Sequence, residues 1–353
     1  MTAYQRGARS RISVATSSAR GSGLGNEIIP YAKSYIGARE LGLTLAKPRW
    51  CTNRYRLGSH FGWDSGRLFL DNAWSYRLPQ VHITEELFRG TGETDYGKAI
   101  LVLAEQMGVD FRRRLAVVHE GMWGGYLAVY SARNYLRQLV LGAPLVAERL
   151  DDLCIPSDDE VVVAVHVRLG DFSSLPVSRG AWNRLVPLSW YRDAIVALGD
   201  ILAGRPWRCL VVSDGPREAL TPLLWLPNVD VVSSVSPVAD LAVLASSDVL
   251  VSSVSSFSMT ASFLSGRPYI WHEPQLTQRG SALSFWGNEL AEQGPESSTS
   301  RNASSLLPAH VGRGIPYRPG SPFPKAFERW VTSQSLLRGR QRDLVLYGVV
   351  NPP

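Results

Sequence analysis

The chain has 353 residues, more than one hydrophobic core usually serves, so two domains are expected. Its 45% hydrophobic and 19% charged residues build packed cores and exclude a disordered chain. No run approaches the roughly 18 apolar residues of a membrane span, and a net charge of +6 favours anionic ligands.

The basic balance comes without a recognition-helix pattern, zinc finger or RNP-type segment, so no nucleic-acid partner is expected. An anionic small molecule fits it better. The first residues carry arginines but no apolar stretch of a secretory leader, which makes the chain read as cytoplasmic. Cys51, Cys154 and Cys209 are odd in number and widely spaced, suggesting neither a disulfide framework nor zinc. The six histidines show no metal-binding spacing. Most of the eleven tryptophans are expected to anchor packing, and a few to stack on sugar rings.

In chain order, residues 12–16 read as a strand and 17–26 as a loop. Ile28, Ile29, Ala32, Tyr35 and Ile36 follow at helical spacing, and Gly42 can end that helix. Leu43–Ala46 is the next strand, completing a βαβ unit. Residues 50–95 are irregular; 97–108 and 123–141 read as helices. The acidic, proline-containing stretch 150–160 is the expected linker. Beyond it, apolar runs at 161–167, 209–212, 229–232, 248–251 and 268–271 alternate with helical segments at 189–202, 216–224 and 239–245. Pro222 lies inside the second of these segments. Such alternation implies a parallel sheet covered on both faces. Residues 286–322 read as loops and 326–337 as a final helix.

Four strand exits carry polar chemistry. VVVAVHVRLGD, from Val161 to Asp171, places His166 and Arg168 on one face at the carboxyl end of a buried strand. Ligands of open α/β sheets bind at that edge, and a guanidinium grips phosphate bidentately. Asp171 can pair with Arg168 or orient His166. The same pattern also fits an Arg–Asp pair that only ties the strand to its loop, with His166 a core histidine. Next, Ser255, Ser256, Phe257 and Ser258 precede a small-residue helix. Serine hydroxyls and first-turn N–H groups make an anion site, or a plain N-cap. GSGLGN, Gly21–Asn26, lacks both the P-loop lysine and the GxGxxG register, so no dinucleotide site is supported; its glycines permit close backbone approach. Asp214 ends the strand LVVS, where a carboxylate can read a guanine edge or a ribose, or cap the following helix.

Taken in order, GSGLGN, HVRLGD, VVSDG and SSVSSFS resemble the motifs of α-1,2-fucosyltransferases. The wider group includes α-1,6- and protein O-fucosyltransferases. The resemblance covers residues 20–40 and about 160–270. It implies an α/β, GT-B-like fold: two Rossmann-like domains with parallel sheets facing a cleft. They would be an acceptor-side domain at 1–150, a nucleotide-sugar domain at 151–285, and a loop-rich tail with a final helix at 286–353. The implied activity is inverting, metal-independent transfer of a sugar, fucose by resemblance, from a GDP-sugar to a glycan or glycoconjugate hydroxyl, with no further cofactor. Arg168 would grip the β-phosphate and stabilise the leaving group. His166 would orient the donor, and Ser255, Ser256, Phe257 and Ser258 would receive the pyrophosphate. Asp214 would read guanine or ribose, and Gly23, Gly25 and Asn26 would approach from the other domain. Asp171 and Glu27 are candidates for the base. Leu169 stands where the family has a second arginine, Glu27 where it has glutamine, and Gly215 where it has a second aspartate. These departures leave open another GDP-sugar, another nucleotide-sugar, or a non-catalytic binder.

Overall fold

The computed structural model describes residues 13–18, 21–50, 54–63, 66, 75–110, 113–157, 160–170, 185–253, 255–272 and 314–333. These fall into two compact units, drawn from Met1–Pro144 and from Leu145–Phe285 with 314–333.

In the first unit, β1 (Val14–Ser17) leads into α1 (Leu24–Leu41). Gly23 is its N-cap, so α1 starts four residues before the expected Ile28 and takes Gly25 and Asn26 into its first turn. Gly42, at φ 65°, closes it by donating its N–H to the Ala38 carbonyl. Next come β2 (Thr44–Leu45), β3 (Gln80–Ile83) and α2 (Glu85–Gly90). The unit closes with α3 (Tyr96–Met107), β4 (Ala116–His119) and α4 (Arg133–Leu141). Among the described residues these strands form a parallel sheet in the order β2-β1-β4-β3.

Sequence patterning did not separate β3 and β4. β3 is an edge strand whose exposed Gln80 and His82 blur its apolar alternation. The buried run 115–118 did carry a strand signal. The helix expected over 123–141 is broken instead. Gly124 and Gly125 have positive φ, and α4 starts only at Arg133.

The second unit starts with α5 (Val146–Asp152), which covers the beginning of the expected linker. Then come β5 (Val161–Val167), α6 (Leu188–Ile201), β6 (Trp207–Ser213) and β7 (Val229–Val231). α7 (Pro237–Ser246), β8 (Val249–Ser252), α8 (Ser256–Ser265) and β9 (Tyr269–His272) follow. β10 (Gly314–Tyr317) and α9 (Lys325–Thr332) complete it. Every strand pair is parallel, in the order β10-β9-β8-β5-β6-β7. Counted from β5 this is the doubly wound order 3-2-1-4-5-6. The chain leaves β5 toward β6 and β7, then returns to β8 on its other side. The reversal lies between β5 and β8.

Two parallel α/β sheets, Rossmann-like in order in the second unit, are therefore present as expected. All seven residues of β5 are buried. Its odd-numbered valines join Trp190, Leu198 and Phe327 in one core, while α7 packs on its opposite side. Pro222 does not interrupt a helix. It sits at the start of a single turn, Thr221–Leu224, where proline costs no hydrogen bond. β10 lay unread within the expected loop because it is short and contains Pro316, as edge strands tolerate. The Trp190 indole N–H donates to the Tyr317 carbonyl (3.1 Å), which pins β10 to α6.

Phe327, fully buried, anchors α9 in this core. Phe327→Ala is expected to destabilise the second unit by about 3–5 kcal/mol in urea denaturation. A loss under about 1 kcal/mol would show that α9 is not part of the core.

Candidate functional site

The chemistry gathers where β5, β6 and β8 end. His166, the sixth residue of β5, is 3% exposed. Its Nδ1 lies 2.8 Å from the Ser253 hydroxyl and 3.3 Å from that of Ser255. Burial pushes its pKa down to about 3, so the imidazole is neutral at ordinary pH. The ring packs tilted on Phe257, 5.3 Å between centroids.

Ser255 is the N-cap of α8, and its hydroxyl accepts the Ser258 N–H (3.3 Å). Buried Ser258 is a hub, 2.9 Å from Ser252, 3.1 Å from Ser253 and 3.3 Å from Ser255. The serines form one closed hydroxyl network against His166, more than a cap requires. Ser256 and Phe257 are only half-buried at the helix entry. The first-turn N–H groups there carry the partial positive charge of a helix N-terminus. Ser252 and Ser253 were not among the sequence candidates, although Ser253 is the nearer partner of His166. The signal was the serine run itself, which begins at Ser252.

Arg168 follows two residues after His166. Its Nη1 lies 2.8 Å from Asp214 Oδ2, with both side chains about 30% exposed. Asp214 Oδ1 accepts the Leu169 N–H (2.8 Å) and Oδ2 the Gly170 N–H (3.1 Å). Asp214 therefore reaches across to the β5 exit. The 3-10 turn that follows it, Arg217–Leu220, has Pro216 at its N-cap position. Asp171, the sequence candidate for pairing with Arg168, lies outside the described residues. The structure thus joins His166 to Ser255, Phe257 and Ser258, and Arg168 to Asp214, at one strand exit.

Gly23, Gly25 and Asn26 belong to the first unit, where α1 follows β1. A Cβ on Gly23 would meet nothing within 4 Å, so backbone can be approached there. Asn26 donates its N–H to the Gly23 carbonyl (3.0 Å). Glu27 is 1% exposed and its Oε1 accepts the Ser22 N–H (2.9 Å), a brace folding the loop onto α1.

The same unit holds a buried cluster that sequence reasoning missed. His119, at the end of β4, has its Nδ1 2.7 Å from the Tyr96 hydroxyl. Burial, then the nearby Lys33, pushes its pKa down to about 3. Lys33 is itself buried, donates to the Glu120 carbonyl (3.2 Å) and lies 5.2 Å from the Phe88 ring centroid. Among the described residues, no helix is long and apolar enough to cross a membrane.

No protein-family model and no curated protein matches the chain. Among solved structures, it is similar to a NodZ alpha-1,6-fucosyltransferase soaked with GDP-fucose. The two share 16% identity over 74% of this chain and 95% of that one, with a TM-score of 0.44. Arabidopsis thaliana FUT1, in complex with GDP, is 14% identical over 74% of this chain and 70% of its own, with a TM-score of 0.39. POFUT1, in complex with GDP, is 11% identical over 74% and 98%, with a TM-score of 0.44.

Proposed function

We propose that the protein is an inverting, metal-independent glycosyltransferase that moves fucose from GDP-fucose to a hydroxyl of a glycan or glycoconjugate. The observation that carries the reading is the β5 exit. Arg168 stands there beside His166, which is hydrogen-bonded into the serine-lined entry of α8 at the sheet's reversal point. Ligands of doubly wound sheets bind at that point.

Cleaving the sugar–phosphate bond builds negative charge on GDP while the sugar becomes oxocarbenium-like. A fixed cation and oriented N–H groups stabilise that charge without reorganising. His166 is neutral, so among the described residues of this exit the cationic charge is Arg168's. In this reading Arg168 meets the β-phosphate. The N–H groups of Ser256 and Phe257 receive the diphosphate. Ser255, Ser258 and His166 hold the helix entry in shape. In this reading the acceptor-side domain is 1–150, with Gly23, Gly25 and Asn26 at its candidate ligand loop, and the donor domain is 151–285. The described residues beyond 285, 314–333, complete the donor domain's sheet and core. Asp171 is the remaining candidate for the base, since Glu27 is buried as a brace.

A thermal-shift panel of GDP, UDP and ADP tests the reading. At a hundredfold excess over Kd, a ligand of the folded state adds about 2.7 kcal/mol. GDP is expected to raise Tm well above UDP or ADP, and transfer is expected to survive EDTA. A larger shift with UDP or ADP points to another nucleotide-sugar. GDP binding without release of GDP from GDP-fucose points to a non-catalytic binder.

A further inference from the structure

We infer that Asp214 is a positioning residue for Arg168, and that the exits of β5 and β6 form one rigid mount for its guanidinium. The inference rests on the transferase reading and deepens it. The family resemblance would instead put Asp214 on the guanine or ribose.

An ionised carboxylate offers about four lone-pair sites. Three of Asp214's contacts are protein donors: the Leu169 N–H, the Gly170 N–H and Arg168 Nη1. Each lies on the three-residue turn that leaves β5. Holding the guanidinium by Nη1 while clamping the next two peptide groups fixes both the base of the Arg168 side chain and its tip. A free arginine loses rotamer freedom each time it binds an anion; one held in place has already lost it.

Packing around the clamp leaves no slack. A Cβ on Gly170 would lie 2.4 Å from Asp214 Oδ2. A Cβ on Gly215 would lie 2.4 Å from Leu169 Cδ1 and 2.9 Å from its Cβ. Neither glycine is needed for a left-handed backbone; both are needed for space. Leu169 thus covers the residue after Asp214, and Asp214 covers the residue after Leu169. Two of the three positions that depart from the family motifs, Leu169 and Gly215, are packed on each other and close the mount. Next to Arg168, the Asp214 charge also offsets part of the cation's attraction for phosphate. Holding the guanidinium in direction outweighs that offset, so the net effect of Asp214 is tighter phosphate binding.

The test uses the full chain with Asp214→Asn, Gly170→Ala, Arg168→Ala and the Arg168→Ala/Asp214→Asn pair. Titrations with GDP and ADP are read beside the NMR signals of the Arg168 guanidinium. Asp214→Asn is expected to lower GDP affinity on the order of tenfold and to leave the GDP-over-ADP preference unchanged. Gly170→Ala, which displaces Asp214 without altering charge, should do the same. The double variant should bind no more weakly than Arg168→Ala alone. In the wild type, rotation about the Arg168 guanidinium should be restrained, and Asp214→Asn should release it. If Asp214→Asn erodes the preference for GDP, or the two losses multiply, Asp214 reads the ligand and the inference fails while the transferase reading stands. If the wild type binds neither nucleotide, the transferase reading fails and takes the role in catalysis with it. An Arg168 guanidinium already unrestrained in the wild type overturns the mount itself.

Discussion

Arg168→Ala is expected to lower GDP release from GDP-fucose by about two to three decades, while Tm falls by no more than about 4 °C. The first number follows from the charge. Removing one preorganised group that meets a developing oxyanion costs about 3–4 kcal/mol of transition-state stabilisation. The neighbouring His166 is neutral and cannot take over. The second number follows from exposure. The Arg168–Asp214 pair is about 30% exposed on both sides, and such pairs contribute roughly 0–1 kcal/mol to folding. For a domain of this size, 1 kcal/mol moves Tm by about 2–4 °C. After the change Asp214 still accepts the Leu169 and Gly170 N–H groups, so no buried carboxylate is stranded. Arg168→Lys separates charge from geometry. Lysine keeps the charge but lacks the planar fork, so a recovery of only part of the loss is expected. Near-normal turnover in Arg168→Ala would remove the phosphate role.

What could be read from the sequence follows from how local each signal is. Val161–Val167 was legible as a buried strand because its first five residues, all valine or alanine, admit little else, and its end placed His166 and Arg168 at the ligand-binding edge. Ser255 as the start of a helix was equally local. The strand order was not local. Nothing in the sequence said that β8 returns beside β5, and that return brings Ser253 to His166. For the same reason the carboxylate offered to Arg168, or to orient His166, was Asp171, three residues beyond Arg168. Its described partner, Asp214, is 46 positions along the chain, brought there by the pairing of β5 with β6. β4 was passed over although its residues are fully apolar up to His119. Four residues give too short a window for periodicity to decide. Gly37 shows how such a strand is fixed: a Cβ there would lie 2.3 Å from the His119 ring, so helix and strand approach only through glycine.

His119 and His166 make both units acid-labile, and the expected result is a stability that is level above about pH 7 and falls below about pH 6.5. Each imidazole is buried, and each is held to a pKa of about 3 while folded. Unfolded, each takes up a proton below about 6.5. Between those values the unfolded state binds more protons, so stability falls as pH falls. Each histidine contributes about 1.4 kcal/mol per pH unit in that window. From pH 6.5 to 4.5 each unit should therefore lose about 2.7 kcal/mol, a large part of the roughly 5–15 kcal/mol that holds a domain together. The histidines lie one per unit, so the effects can be separated. His119→Gln should flatten the acid limb of the first unit's transition and leave that of the second unchanged, and His166→Gln should do the reverse. Both variants will be less stable at pH 7, because a buried partner is lost at Tyr96 or at Ser253. The diagnostic quantity is the slope of stability against pH, measured by urea denaturation at pH 7, 6 and 5. A wild-type slope near zero between pH 6 and 5 would mean that these imidazoles reach water and take a proton in the folded state, and that the serine network around His166 is open.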